Sequence, residues 1–360
     1  MRSPWLLAVA SVAIAAAGVS ACKNENRPPV SNTVAASPPT VTPSTGDGGA
    51  EGGTVGALFA TSRPPRAIAV DDTSIFLSFP RGTAPDGGTL DGSIAIAPRG
   101  GGEPATLLGG GSPTELLRVG TFLVWIDEGT AVGTGSVNVV ELGSGTPHAV
   151  LGNLEAPTAI ATDGTRVYVS SRGPSLGITI DSAPLAGGLA RNLTTTLVGE
   201  IAPAGLAIDA QSAYFVGQSR FGGTLFRVPL SGGPSEVLWT PPSGSPGDVL
   251  VAGARAFVTL ESPGDTSSIV AVPVGGGSPT PLVAGLNHPA RLAVADAKLY
   301  WTNQDATLGA VLRAAIDVAT PDVVVLASRI DSPHAIAVAD GVYVTASAPS
   351  AKGAVYKLAK

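Results

Sequence analysis

The stretch His288–Asn303, "HPARLAVADAKLYWTN", is followed at Ser332–Thr345 by "SPHAIAVADGVYVT". Both place a proline ahead of a short run alternating aliphatic and small residues, then a turn, then an aromatic. The same grammar extends back through the chain, with landmark prolines at Pro65, Pro113, Pro157, Pro203, Pro246, Pro289 and Pro333, at intervals of 43 to 48 residues. Three residues after each stands an aliphatic: Ile68, Leu116, Ile160, Leu206, Val249, Leu292 and Ile336. Further on comes Phe76, Val124, Tyr168, Tyr214, Phe257, Tyr300 or Tyr343. Six aromatics in seven equivalent slots, in a chain with 5% aromatic residues, mark a true repeat.

Each repeat reads as four short strands. The first alternates ("AIAV", "GLAI", "RLAV"), the second carries the aromatic ("RVYVSS", "KLYWTN"), the third follows a polar loop ("TLFRVPL", "SIVAVPV") and the fourth is brief ("SEVLWT"). Period-two alternation with β-branched enrichment predicts strands, and no helical period persists beyond residue 60. "PRGGG", "PLAGG", "PLSGG" and "PVGGG" lie between third and fourth strands, where paired glycines supply the positive φ of a hairpin turn. Four-stranded units of about 40–45 residues, repeated, predict a β-propeller, here with seven blades. The seventh repeat ends after its third strand. Its fourth is expected from "GALFAT", residues 56–61, so that an N-terminal strand closes the fold and covers two unpaired edges.

In the sixth repeat, "KLYWTN" after "HPARLAVAD" resembles YWTD and NHL-type propeller repeats, over residues from about 56 to the end. The resemblance implies the fold and leaves function open, since such propellers serve as receptors, scaffolds and enzymes. Those families commonly have six blades, one fewer than the count here.

The N-terminus gives an address. "MRSPWLLAVASVAIAAAGVSAC" has a basic start at Arg2, an apolar run and small residues leading to Cys22, the pattern of a secretory signal over residues 1–21. Cys22 is the only cysteine, and "VSAC" resembles the lipobox of bacterial lipoproteins, which implies diacylglycerol on Cys22 and membrane attachment through that lipid. Lys23 rather than Asp follows, which by the same resemblance points to the outer membrane. Residues 22–54, rich in Pro, Ser, Thr and Gly, cannot bury a core and read as a disordered tether spanning ~30 Å on average. The propeller then occupies residues 55–360.

A net charge of −6 and no cluster of Lys or Arg argue against a nucleic-acid partner. Propeller loops leading into first strands, and those joining second to third strands, share one face. The former contribute Arg66, Glu115, Asp248, Arg291, His288 and His334. The latter contribute Arg81, Asp86, Asp127, Glu128, Arg172, Arg220, Glu261, Asp265 and Asp305. Most are read as ordinary solvated charges. The rim of Glu115, Asp248, Arg291, His288 and His334 is the candidate binding surface, its mixed charge suiting a polar ligand or an envelope protein. No sequence-placed carboxylate orients either histidine, so no metal, cofactor or catalytic residue is assigned. "GPSLG", residues 173–177, fits G-x-S-x-G, but sits between strands rather than before a helix, so Ser175 is not read as a nucleophile. Three functions follow: a binding or scaffolding module for another envelope component, a metal-assisted lyase or lactonase at the channel mouth, or a structural spacer.

Overall fold

The computed structural model describes residues 55–360 except 85, 144, 174–175, 197–200, 220–221, 264–265, 306–307, 319–320 and 349–351. The leader and tether expected over 1–54, Cys22, Ser175, Arg220 and Asp265 lie outside the described residues. The chain divides into Met1–Ser37 and Pro38–Lys360, and all described residues belong to the second unit.

The fold is all-β, with no α-helix among the described residues. Ala67–Val70, Ser74–Phe79, Ser93–Pro98 and Ala105–Gly109 form an antiparallel four-stranded sheet in sequence order. Similar sheets begin at Ala202–Ile208, Ser245–Ala252 and Pro289–Ala295. The turns between third and fourth strands place Gly101 and Gly102, Gly187 and Gly188, Gly232 and Gly233, and Gly276 and Gly277 at positive φ, as the paired glycines predict.

Two repeats merge into one seven-stranded sheet running from Pro113–Val119 to Arg191–Thr195. The sequence suggests an outer strand starting at His148 and a separate inner strand at Pro157. Instead, one strand, His148–Thr162, serves both repeats. Up to Leu154 it pairs with Gly135–Glu141, and from Glu155 it pairs with Arg166–Arg172. Asn153 (φ 56°) and Ala156 (φ 43°) redirect the chain there without a loop. The long loop over 80–92 likewise carries a small hairpin of its own, Gly82–Thr83 with Thr89–Leu90.

The final sheet joins the two ends of the domain. Phe59–Thr61 pairs with Lys352–Leu358, with Phe59 opposite Val355 and Thr61 opposite Gly353, and the Leu58 amide donates to the Val355 carbonyl at 2.7 Å. Arg63 fixes this seam to the first sheet. Its guanidinium donates to the carbonyls of Pro80 (3.0 Å) and Asp91 (2.9 Å) and to Ser93 Oγ (3.2 Å), and lies over the Phe79 ring.

The landmark side chains explain why the repeats need one another. Each packs onto the sheet that follows: Phe76 with Leu123 and Trp125, Val124 with Val167 and Val169, Tyr168 with Phe215, Phe257 with Trp301. Tyr343, from the last repeat, packs with Leu77 and Phe79 of the first. All seven are buried, each worth ~2–3 kcal/mol of apolar burial that an isolated repeat cannot realise.

Three tyrosines also brace the hairpin between first and second strands. Tyr168, Tyr214 and Tyr343 donate through their hydroxyls to Asp163 (2.8 Å), Asp209 (2.7 Å) and Asp340 (2.7 Å). Asp163 and Asp209 also accept two backbone N–H bonds each from the turn. Burial opposes ionisation of Asp163, but those bonds prevail and hold its carboxyl at about 2. In the sixth repeat the turn is tighter, with Asp296 and Ala297 at φ 51° and 54°; Asp296 faces Lys360, and the buried Tyr300 hydroxyl has no hydrogen-bond partner among the described residues. Tyr168→Phe is therefore expected to cost about 1 kcal/mol, whereas Tyr300→Phe should be neutral or stabilising. Urea unfolding of both variants checks this, and equal losses would contradict it.

Candidate functional site

The first strand of every repeat lines one central cavity of about 520 Å³. The strands are Ala67–Val70, Pro113–Val119, the second half of His148–Thr162, Ala202–Ile208, Ser245–Ala252, Pro289–Ala295 and Pro333–Val338. Each neighbours the next, and the last neighbours the first. Most of the wall is Ala, Ile, Leu and Val, as their alternation requires.

Besides Arg118 and Thr162, the polar exceptions come from one position of the repeat. In five inner strands the pairing register slips between the landmark proline and the aliphatic three residues later: Pro113/Leu116, Pro203/Leu206, Pro246/Val249, Pro289/Leu292 and Pro333/Ile336. Such a bulge frees a backbone amide and re-aims the intervening side chains. A hydroxyl two residues after the aromatic landmark takes up the freed amide. Thr259 accepts from Asp248 N (2.8 Å), Thr302 from Arg291 N (3.3 Å) and Thr345 from Ala335 N (3.0 Å), and in the first sheet, where the register does not slip, Ser78 accepts from Ala67 N (2.9 Å). All four hydroxyl residues are buried. The threonine of "KLYWTN" is thus the partner of the bulge that presents Arg291.

The second residue after the proline is Ala67, Glu115, Ala159, Gly205, Asp248, Arg291 or Ala335. Only small or charged residues occur. At Gly205 a Cβ would lie 2.8 Å from Val249 N and 2.9 Å from the Gly247 carbonyl, so that strand sits too close to its neighbour for any side chain. The three charges meet. Arg291 donates from Nη2 to Glu115 Oε1 across the cavity, between strands separated by two others on one side and three on the other. Asp248 accepts from the amides of Leu292 (2.9 Å) and Val249 (3.0 Å). The Glu115 charge, against the opposing effect of burial and with help from Asp248, holds the guanidinium well above its ordinary pKa. Burial pushes the Asp248 carboxyl up, although the Arg291 charge pulls against it.

His334 stands beside this trio, at the first position after its proline. Its ring meets Gln304 Nε2 at 3.3 Å through Nδ1 and Ser347 Oγ at 3.0 Å through Nε2. Burial lowers its pKa below 6.5, and the Arg66 and Arg291 charges lower it further. A depressed imidazole stays neutral in the folded protein while the unfolded chain takes up a proton. Its stabilisation is therefore complete above pH 6.5 and is lost as pH falls through the window below that value. His334→Gln should flatten the stability profile between neutrality and about pH 5, measured by thermal melts. Parallel acid profiles for variant and wild type would contradict this.

His288, also on the rim, is separate from the trio. It has φ 45°, is more than half exposed, and its Nδ1 lies 2.7 Å from Glu261 Oε1. The sequence offered no carboxylate for either histidine, because Glu261 comes from the preceding repeat's second strand, Arg255–Glu261. Other loop charges engage groups in their own loops. Asp86, Asp127 and Asp305 accept turn amides from Gly88, Gly129 and Leu308, and Arg81 pairs with Asp91. Glu128 and Arg172 join Arg66 and Glu115 around an adjoining rim cavity of about 430 Å³, in which Arg172 lies 3.8 Å from Glu155. Among the described residues no three His, Cys, Asp or Glu side chains are grouped to hold a metal ion.

No protein-family model and no curated protein matches the chain. Similarity appears among solved structures. The β-propeller domain of the trilobed protease from Pyrococcus furiosus, described as having an open velcro topology, aligns at 9% identity with a TM-score of 0.60, over 83% of this chain and 95% of that domain. A chain of the nidogen/laminin complex aligns at 17% identity with a TM-score of 0.50, covering 70% and 93% respectively. A puromycin-hydrolysing peptidase of Mycobacterium tuberculosis aligns at 16% identity with a TM-score of 0.58, over 80% of this chain and 50% of that one. The chain thus spans about half the length of that peptidase. At these identities the likeness is one of fold: an all-β chain with β-propeller neighbours.

Proposed function

We propose that the chain is a lipid-anchored protein of the bacterial cell envelope, built on a seven-bladed propeller, and that the face carrying the cavity mouth binds a polar group of another envelope component. The observation carrying this reading is the convergence of Glu115, Asp248 and Arg291 from one repeat position, with His334 beside them, at the mouth of a cavity whose wall is mostly aliphatic. Stability alone would be served by Ala at all of these positions, as it is at Ala67, Ala159 and Ala335, because buried charge pairs seldom repay their desolvation.

Seven inner strands around one cavity support the blade count. The seven-stranded sheet then reads as two blades sharing His148–Thr162, and Phe59–Thr61 supplies the outer strand of the last blade. A neighbour drawn from a protein complex, nidogen/laminin, agrees with a protein-binding role. The lone Cys22 after an apolar leader supports the lipid anchor, the outer membrane being the favoured location.

Two measurements test the reading. Envelope fractionation should find wild type in the membrane and Cys22→Ser released from it; a variant retained as fully as wild type would sink the anchor. Cross-linked partners recovered from solubilised envelopes should be lost by Arg66→Ala combined with His334→Ala, once that double variant is shown to fold. Undiminished capture would remove the cavity mouth from the binding surface.

A further inference from the structure

The mouth has an uneven distribution of charge. Arg66, Arg291 and His334 come from the first, sixth and seventh repeats, and both guanidinium charges act on the His334 ring. Arg66 is exposed and has no side-chain partner among the described residues, while its cavity borders Glu115. Arg291 carries five N–H donors, of which one is used, on Glu115. The Arg291 side chain keeps 30% of its exposure, so its four remaining donors, without a protein acceptor among the described residues, are open to water or to a ligand at the mouth.

We infer that this mouth holds a carboxylate of the bound partner or ligand, between Arg66 and the free edge of Arg291 with His334 alongside, and that Glu115 is the internal carboxylate occupying Arg291 until it arrives. The inference rests on the binding role proposed above and names the chemistry of its ligand. The Glu115 contact demonstrates that Arg291 accepts a carboxylate in this setting. A singly charged group suits the balance, because Glu115 and Asp248 stand nearby and would repel a phosphate dianion more strongly than a monoanion. A cation would meet Arg66 and Arg291 first. Anion binding also places negative charge next to His334, offsetting the two guanidinium charges, so the imidazole should gain basicity and take up a proton.

The full chain contains three histidines, so the imidazole resonance of His334 can be assigned with His334→Gln and followed directly. N-acetylglycine, acetate, inorganic phosphate and methylammonium serve as probes. The two carboxylates should shift the His334 resonance and raise its titration midpoint, more effectively than phosphate, and methylammonium should do nothing. Preference for N-acetylglycine over acetate points to a peptide end, and parity points to small acids; either supports the carboxylate site. Arg66→Gln, an exposed change that spares the core, should weaken N-acetylglycine by about tenfold through loss of one charge-assisted bond, and Glu115→Gln should tighten it by about as much. An unmoved His334 at saturating carboxylate, a preference for phosphate or methylammonium, or a Glu115→Gln protein that binds no better would each overturn the inference. If partner capture at the mouth survives such a failure, the carboxylate is wrong and the binding role stands.

Discussion

Deleting residues 56–61 unfolds the domain at room temperature or leaves it marginal, whereas deleting 26–46 leaves its melting temperature unchanged. The first deletion strips Phe59–Thr61 from Lys352–Leu358 and opens a sheet edge. The lost ladder bonds are worth ~1 kcal/mol each, and the partly buried Leu58 and Phe59, packed beside Ala335 and Tyr343, contribute ~1–2 kcal/mol each. The total, on the order of 5 kcal/mol, matches the whole stability of many domains. Thermal and urea unfolding of the two deletions would decide the matter, and equal melting temperatures would rule out closure by the N-terminal strand.

The second large effect belongs to the cavity. Arg291→Met leaves Glu115 and Asp248 without their cation and is expected to cost ~2–3 kcal/mol, less than the ~3–5 kcal/mol of a fully buried pair, because the Arg291 side chain keeps 30% of its exposure. Adding Glu115→Gln should recover much of that loss, because the surviving partner is then neutral. Urea midpoints at constant slope, arranged as a double-mutant cycle, measure the coupling. Additive costs would mean that the two side chains do not interact across the cavity.

Much of this architecture was legible in the sequence because it is periodic. The landmark prolines, the aliphatic three residues on and the aromatic locate the inner and second strands, and the glycine pairs locate the outer turns. The missing strand of the last repeat was legible too, since "GALFAT" had no other partner. What the repeat could not show was where it breaks its own rule. His148–Thr162 runs on as one strand because two residues take left-handed φ, and neither Asn153 nor Ala156 advertises that in sequence. For the site, the repeat position of Glu115, Asp248 and Arg291 could be read, but not their meeting. Glu115 and Arg291 are 176 residues apart, and only the arrangement of the inner strands sets them across from each other. The threonine of "KLYWTN" carried a signal in plain view, a hydroxyl two residues after the aromatic in most repeats, whose purpose emerges only with the bulge it satisfies.

The binding role of the cavity-mouth face is tested most directly by hydrogen–deuterium exchange of the full chain with and without its captured partner. Protection is expected at the starts of the inner strands, around Glu115, Asp248, Arg291 and His334, and in the loop bearing Glu128, with the glycine-pair turns at 101–102, 187–188, 232–233 and 276–277 unchanged. Protection confined to those turns, with the mouth exchanging freely, would contradict the account.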